Sequence, residues 1–72
     1  MRLRDLREDR DMTQQMVAEH LHIRQNTLSQ YETGQRQIPL NTLIELALFY
    51  DTSTDYLLGL TNEPRPYPRQ QN

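Results

Sequence analysis

The chain contains no cysteine, which excludes disulfides and thiolate metal sites and makes a reducing, cytosolic setting the best fit. It contains no lysine either, so all eight basic residues are arginines. Arginine suits bidentate contacts to phosphate or guanine better than diffuse attraction. No apolar run approaches the ~20 residues needed to span a bilayer, so no membrane partner is expected. Strand-like alternation, internal repeats and signs of a second domain are also missing. Ser29, Ser53, His20 and His22 form no nucleophile–base pattern. The two histidines, two residues apart, diverge on a helix and have no third ligand. Enzyme activity, a metal, a cofactor and a small-molecule ligand therefore find no support.

What is present predicts an all-α domain of five short helices, about the limit of what 72 residues can build around a modest core. Residues 2–10 alternate charge sign as a solvated helix does, with Leu3 and Leu6 as its apolar stripe and Asp11 at its end. The same charges make this stretch unlike a signal peptide. Thr13 is a good N-cap for a second helix that buries Val17, Ala18 and Leu21. A third helix starts near Arg24 or Gln25, buries Leu28 and Tyr31, and stops at Gly34. Pro39 precedes a fourth, about residues 40–50, expected to bury Leu40, Leu43, Leu46, Ala47 and Tyr50. Ser53 caps a short fifth helix, residues 54–58, with Asp55 in its first turn and Gly59 ending it. Beyond residue 60, prolines at 64, 66 and 68 forbid helix and ladder, so residues 61–72 read as a solvated, flexible tail.

The net charge of −2 lowers the expectation of a nucleic-acid partner without removing it. Residues 1–11 carry four arginines against four acids, and residues 12–40 balance Arg24 and Arg36 against Glu19 and Glu32. Surplus acid falls at Glu45, Asp51 and Asp55, behind the predicted second and third helices. On the third helix, Gln25, Asn26 and Gln30 are amides without charged companions. Such a face solubilises poorly yet matches the N6/N7 edge of adenine. Arg24 sits at the positive end of that helix, where a cation makes sense if DNA supplies the negative partner.

These features in register resemble the phage-repressor (Cro/repressor, XRE-like) helix-turn-helix family over about residues 2–60. The resemblance is carried by Thr13-Gln14, Ala18, Tyr31-Glu32-x-Gly34, Pro39-Leu40, Leu43 and Asp55-Tyr56-Leu57-Leu58-Gly59. It implies a compact five-helix repressor-like domain whose helices 2 and 3 form the motif. It also implies sequence-specific binding to double-stranded DNA by a homodimer on a palindromic operator, with the third helix in the major groove. Carried over to this chain, Gln14 meets a phosphate. Arg24, Gln25, Asn26 and Gln30 face the DNA, with Thr27 at the edge. Thr33, Gly34 and Arg36 touch the backbone, and Arg7 pairs with Glu32 to hold helix 1 against the recognition helix.

Three residues depart from the family pattern. His22 stands where glycine is common in the turn, and histidine tolerates positive φ. Arg24 replaces a capping serine, costing ~1 kcal/mol of helix stability. Leu48 occupies a position that is usually polar; with Ile44, Tyr56 and Leu60 it is a candidate dimer contact. The sequence thus predicts a small cytoplasmic transcriptional regulator, bacterial or phage-encoded, that represses by covering DNA. The alternative is a protein-interaction module, such as an antitoxin or anti-repressor, on the same fold.

Overall fold

The computed structural model describes residues 1–69 and contains α1 (Leu3–Asp9), α2 (Gln14–Leu21), α3 (Gln25–Thr33), α4 (Leu40–Phe49) and α5 (Thr54–Leu58). Local chemistry sets most of their ends. Thr13 Oγ1 accepts from the Met16 N–H at 3.1 Å, and Ser53 Oγ accepts from the Tyr56 N–H at 3.0 Å. Each bond satisfies a backbone donor that the first helical turn leaves free. Arg24 precedes α3 in extended backbone and makes no side-chain cap, as its chemistry requires. At the other ends the chain turns left-handed at His22 (φ 56), Gly34 (φ 78) and Gly59 (φ 83). Asp11 and Asp51 do the same at φ 55 and 51, a conformation that aspartate tolerates better than most side chains.

All five helices feed one core: Leu3 and Leu6 from α1; Val17, Ala18 and Leu21 from α2; Leu28 and Tyr31 from α3; Leu46 and Ala47 from α4; Leu57 from α5. Tyr50, at the end of α4, is buried with them. The exception to the expected core is Leu40, which is 69% exposed. It opens α4, where its side chain leans back over the loop and not toward the next turn. It also shares an i, i+4, i+8 ridge with Ile44 and Leu48, and that ridge climbs away from the core. Leu43 is half-buried against the core, as Met12, Ile23, Ile38, Phe49 and Tyr56 are.

Two arginines tie the N-terminal segment to distant helix ends. Arg2 Nη1 donates to the carbonyls of Tyr56 and Thr61, both at 2.7 Å, and its guanidinium lies 4.2 Å from the Tyr56 ring centre. Arg10 Nη2 donates to the Tyr50 carbonyl at 2.6 Å. Cations at these carbonyl ends are favourably placed against the helix dipole. Residues 61–69 run back along α4 and α5, with Thr52 Oγ1 donating to the Pro64 carbonyl at 2.6 Å and Tyr67 Oη to Asp55 at 2.8 Å. The last three positions of the expected tail lie outside the described residues. Among the described residues, no helix is long and apolar enough to cross a membrane.

Two of the four leucines of α4, Leu46 and Leu40, separate the core from the ridge experimentally. Leu46→Ala should lower unfolding free energy by ~2–5 kcal/mol, because Leu46 is fully enclosed. Leu40→Ala should change it by no more than ~0.5 kcal/mol. Urea melts giving equal losses for both would contradict this placement of α4.

Candidate nucleic-acid interface

Ala18 lets α3 approach α2 closely: it is 2% exposed and its carbonyl accepts the Ile23 N–H at 3.0 Å. The left-handed turn at His22 then redirects the chain, and α3 begins three residues later. With Leu28 and Tyr31 pointing inward, the helical period turns Gln25 and Asn26 outward. Arg24 and Thr33 are exposed as well, while Thr27, Ser29 and Gln30 are half-buried. Among the described residues, the side chains of Arg24, Gln25, Asn26 and Gln30 form no hydrogen bond with the rest of the chain. Gln14, Gln25, Asn26 and Ser29 together line one shallow, open depression between α2 and α3.

Arg36 lies in the exposed loop after Gly34, beside Thr33. The Thr33 hydroxyl donates to the Ser29 carbonyl at 3.0 Å, leaving its lone pairs toward solvent. Arg24, Gln25, Asn26, Thr33 and Arg36 thus form an exposed polar strip along the chain from the start of α3 to the loop beyond it, with Thr33 and Arg36 bordering a separate depression. Gln14 flanks the strip.

Behind the strip sits a buried polar network. Arg7 Nε donates to Glu32 Oε2 at 2.8 Å and Arg7 Nη2 to Glu32 Oε1 at 3.2 Å, a two-point grip. The Glu32 side chain is 2% exposed and that of Arg7 12%. Arg7 Nη1 also donates to the Met12 carbonyl at 2.9 Å, and Gln14 Nε2 donates to Glu32 Oε1 at 3.1 Å. Hydrogen bonding to Glu32 pushes the Arg7 pKa further up from its ordinary value. A buried pair of this kind adds little net stability over an apolar replacement, but removing one partner strands a charge at a cost of ~3–5 kcal/mol. The same neighbourhood acts on Tyr50, whose hydroxyl is pushed up to about 12, first by burial and then by the Glu32 charge.

The four candidate dimer contacts have different surroundings. Ile44 and Leu48 line a shallow depression with Tyr67. Tyr56 is half-buried under the Arg2 guanidinium, and Leu60 is 73% exposed beyond α5. His20 stacks on Phe49 with ring centres 4.2 Å apart, while His22 occupies the left-handed turn. Sequence reasoning overlooked the place of Ser29 in the depression, although its i+4 and i+3 spacing from Gln25 and Asn26 puts it on their face. It also overlooked the Gln14–Glu32 bond, which spans 18 residues and leaves no local signature.

Comparison with known proteins places this geometry in context. A family model described as helix-turn-helix matches residues 3–57. An uncharacterized HTH-type transcriptional regulator of Bacillus subtilis, YobD, is 39% identical over 71 residues, covering 99% of this chain and 63% of that protein. The HTH-type transcriptional regulator ImmR of the same organism is 45% identical over 58 residues, 81% of this chain and 46% of its own. The cryptic phage CTXphi transcriptional repressor RstR of Vibrio cholerae is 41% identical over 49 residues, 68% and 44% respectively. The chain therefore spans between 44% and 63% of the length of these relatives. No solved structure matches it.

Tyr50 provides a pH test of the network. Its folded pKa lies above the ordinary 10.0, so the unfolded chain releases this proton first as pH rises. The stability that its protonated form contributes is complete below about pH 10 and is lost between 10 and about 12. Denaturant midpoints should fall across that window in the native chain and fall less in Tyr50→Phe. Identical alkaline limbs in both proteins would show that Tyr50 is not the group responsible.

Proposed function

Because the chain belongs to the XRE-like helix-turn-helix family, whose named members are transcriptional regulators, we propose that α3 reads the major groove of double-stranded DNA. The protein acts as a repressor by occupying a palindromic operator as a homodimer. The observation that carries this proposal is the strip of arginine, amide and hydroxyl groups whose α3 amides have no internal hydrogen-bond partner among the described residues. Such groups lose nothing inside the fold when they turn to base edges, and Gln25 and Asn26 suit adenine. Arg24 and Arg36, which form no ion pair among the described residues, supply phosphate contacts. Gln14 approaches the backbone from the N-terminus of α2, where free N–H groups and the helix dipole favour an anion.

The homodimer follows from size. The molecule measures 32 × 27 × 24 Å, whereas half-sites on one face of the duplex lie about 34 Å apart, so each copy covers one. The exposed ridge of Leu40, Ile44 and Leu48 supports an apolar seam on α4. That ridge and the acidic balance would also suit a protein-interaction module such as an antitoxin or anti-repressor. Salt separates the two, since DNA reading weakens steeply as ionic strength rises.

On an operator selected from a random duplex library, Gln25→Ala and Asn26→Ala should each lose ~1–3 kcal/mol and relax discrimination. Arg36→Ala should weaken operator and mixed duplex alike. Equal losses on both duplexes for Gln25→Ala would contradict the assignment of α3. Leu48→Glu should yield monomers by sedimentation; an unchanged dimer would move the seam off α4.

A further inference from the structure

Gln14 stands between two surroundings with different demands. On one side is the Glu32 carboxylate, which only accepts hydrogen bonds. On the other is the open depression shared with Gln25, Asn26 and Ser29. The amide therefore turns its NH2 to Glu32 Oε1, at 3.1 Å, which leaves its own Oε1 without a partner among the described residues, on a side chain that lines the depression. An ordinary surface glutamine reverses its amide freely. Here reversal would press two acceptors together with no proton between them. Glu32 cannot swing aside, because Arg7 grips both of its oxygens and its side chain is 2% exposed.

We propose that Glu32 is a positioning residue for sequence readout: through Gln14 it gives the DNA-facing depression one hydrogen-bond acceptor fixed in place. The proposal rests on the DNA-reading function above and specifies how that face is organised before DNA arrives. A phosphate oxygen, itself an acceptor, is excluded from Gln14 Oε1 and is met by the remaining N–H of the amide. What Oε1 demands is an N–H donor. Two sources share that chemistry: a base amino group in the groove, or the side-chain amides of Gln25 and Asn26, which would then hold a set orientation toward a base.

The test is Glu32→Gln, which leaves Arg7 an acceptor but offers Gln14 either end of an amide. Discrimination between operator and mixed duplex should fall about tenfold, the worth of one hydrogen bond. Affinity for mixed duplex should hold or rise, since a negative charge has gone. Gln14→Ala should lose the same discrimination, and the double variant no more. Additive losses, or equal losses on both duplexes, would overturn the proposal. If the Glu32 coupling persists in Gln25→Ala and Asn26→Ala, the donor is a base; if it vanishes, the donor is one of those amides.

Should Glu32→Gln fail to fold, side-chain amide NMR of the native chain decides. A held, slowly exchanging Gln14 NH2 pair is expected, and a freely averaged pair would overturn the proposal. Failure of the DNA-reading function looks different: the native chain would bind no duplex at low salt, with the Gln14 amide still held.

Discussion

The buried carboxylate of Glu32 is the constraint around which the N-terminal three helices are arranged. Burying an unpaired carboxylate is costly, so its oxygens require donors in fixed places. Arg7 arrives from α1 and Gln14 from the start of α2, and both end on the last turn of α3. Arg7 also holds the Met12 carbonyl, in the connection between α1 and α2. Apolar contacts such as those of Val17 and Leu28 are non-directional and tolerate sliding. Directional bonds from two helices to one carboxylate on a third do not. The crossing of α2 and α3, and hence the outward strip, is tied to this one polar centre.

The remaining arginines show how a cysteine-free domain of this size is stapled. Arg2 and Arg10 reach carbonyls at the ends of α5 and α4, joining residues 40 or more positions apart. Arg4 pairs with Glu8 at the surface, a contact worth little. Arg65 and Arg69 find Glu63 and Asp51. Among the described residues, that leaves Arg24 and Arg36 as the arginines without a carboxylate or carbonyl partner, and both flank α3. The acidic net charge and the proposed DNA contact are therefore compatible, because six of the eight arginines are engaged within the fold, four of them by carboxylates, and the two free ones flank α3.

Helix boundaries were legible in the sequence because capping is local chemistry. Thr13 and Ser53 bond to donors three residues ahead, and His22, Gly34 and Gly59 supply the left-handed turns expected of them. The amide face was legible for a related reason: once Leu28 and Tyr31 are inside, the period dictates what is outside. Leu40 was not legible, since α4 is apolar on most sides and its pattern does not single out one buried face. Asp51 in a left-handed turn, the Arg2 clasp and the path of residues 61–69 all depend on contacts distant in sequence. The Gln14–Glu32 bond belongs with these. It joins two residues that each looked explicable alone.

The position of α4 bears on how two copies could act together. One flank of the helix is core, through Leu46 and Ala47, and the other is the open Leu40–Ile44–Leu48 ridge. Along that flank Tyr67, Pro68 and Arg69 line a depression with Ile44 and Leu48, so the end of the described chain borders the ridge. A proposed seam here would reach the recognition helix through few intermediaries. Phe49 of α4 stacks on His20 of α2, and α2 is locked to α3 by Ala18 and by the Gln14–Glu32 bond. Close-packed layers of this kind transmit position with little slack. A seam on α4 would therefore set not only that two strips exist, but the spacing and angle at which they meet the duplex.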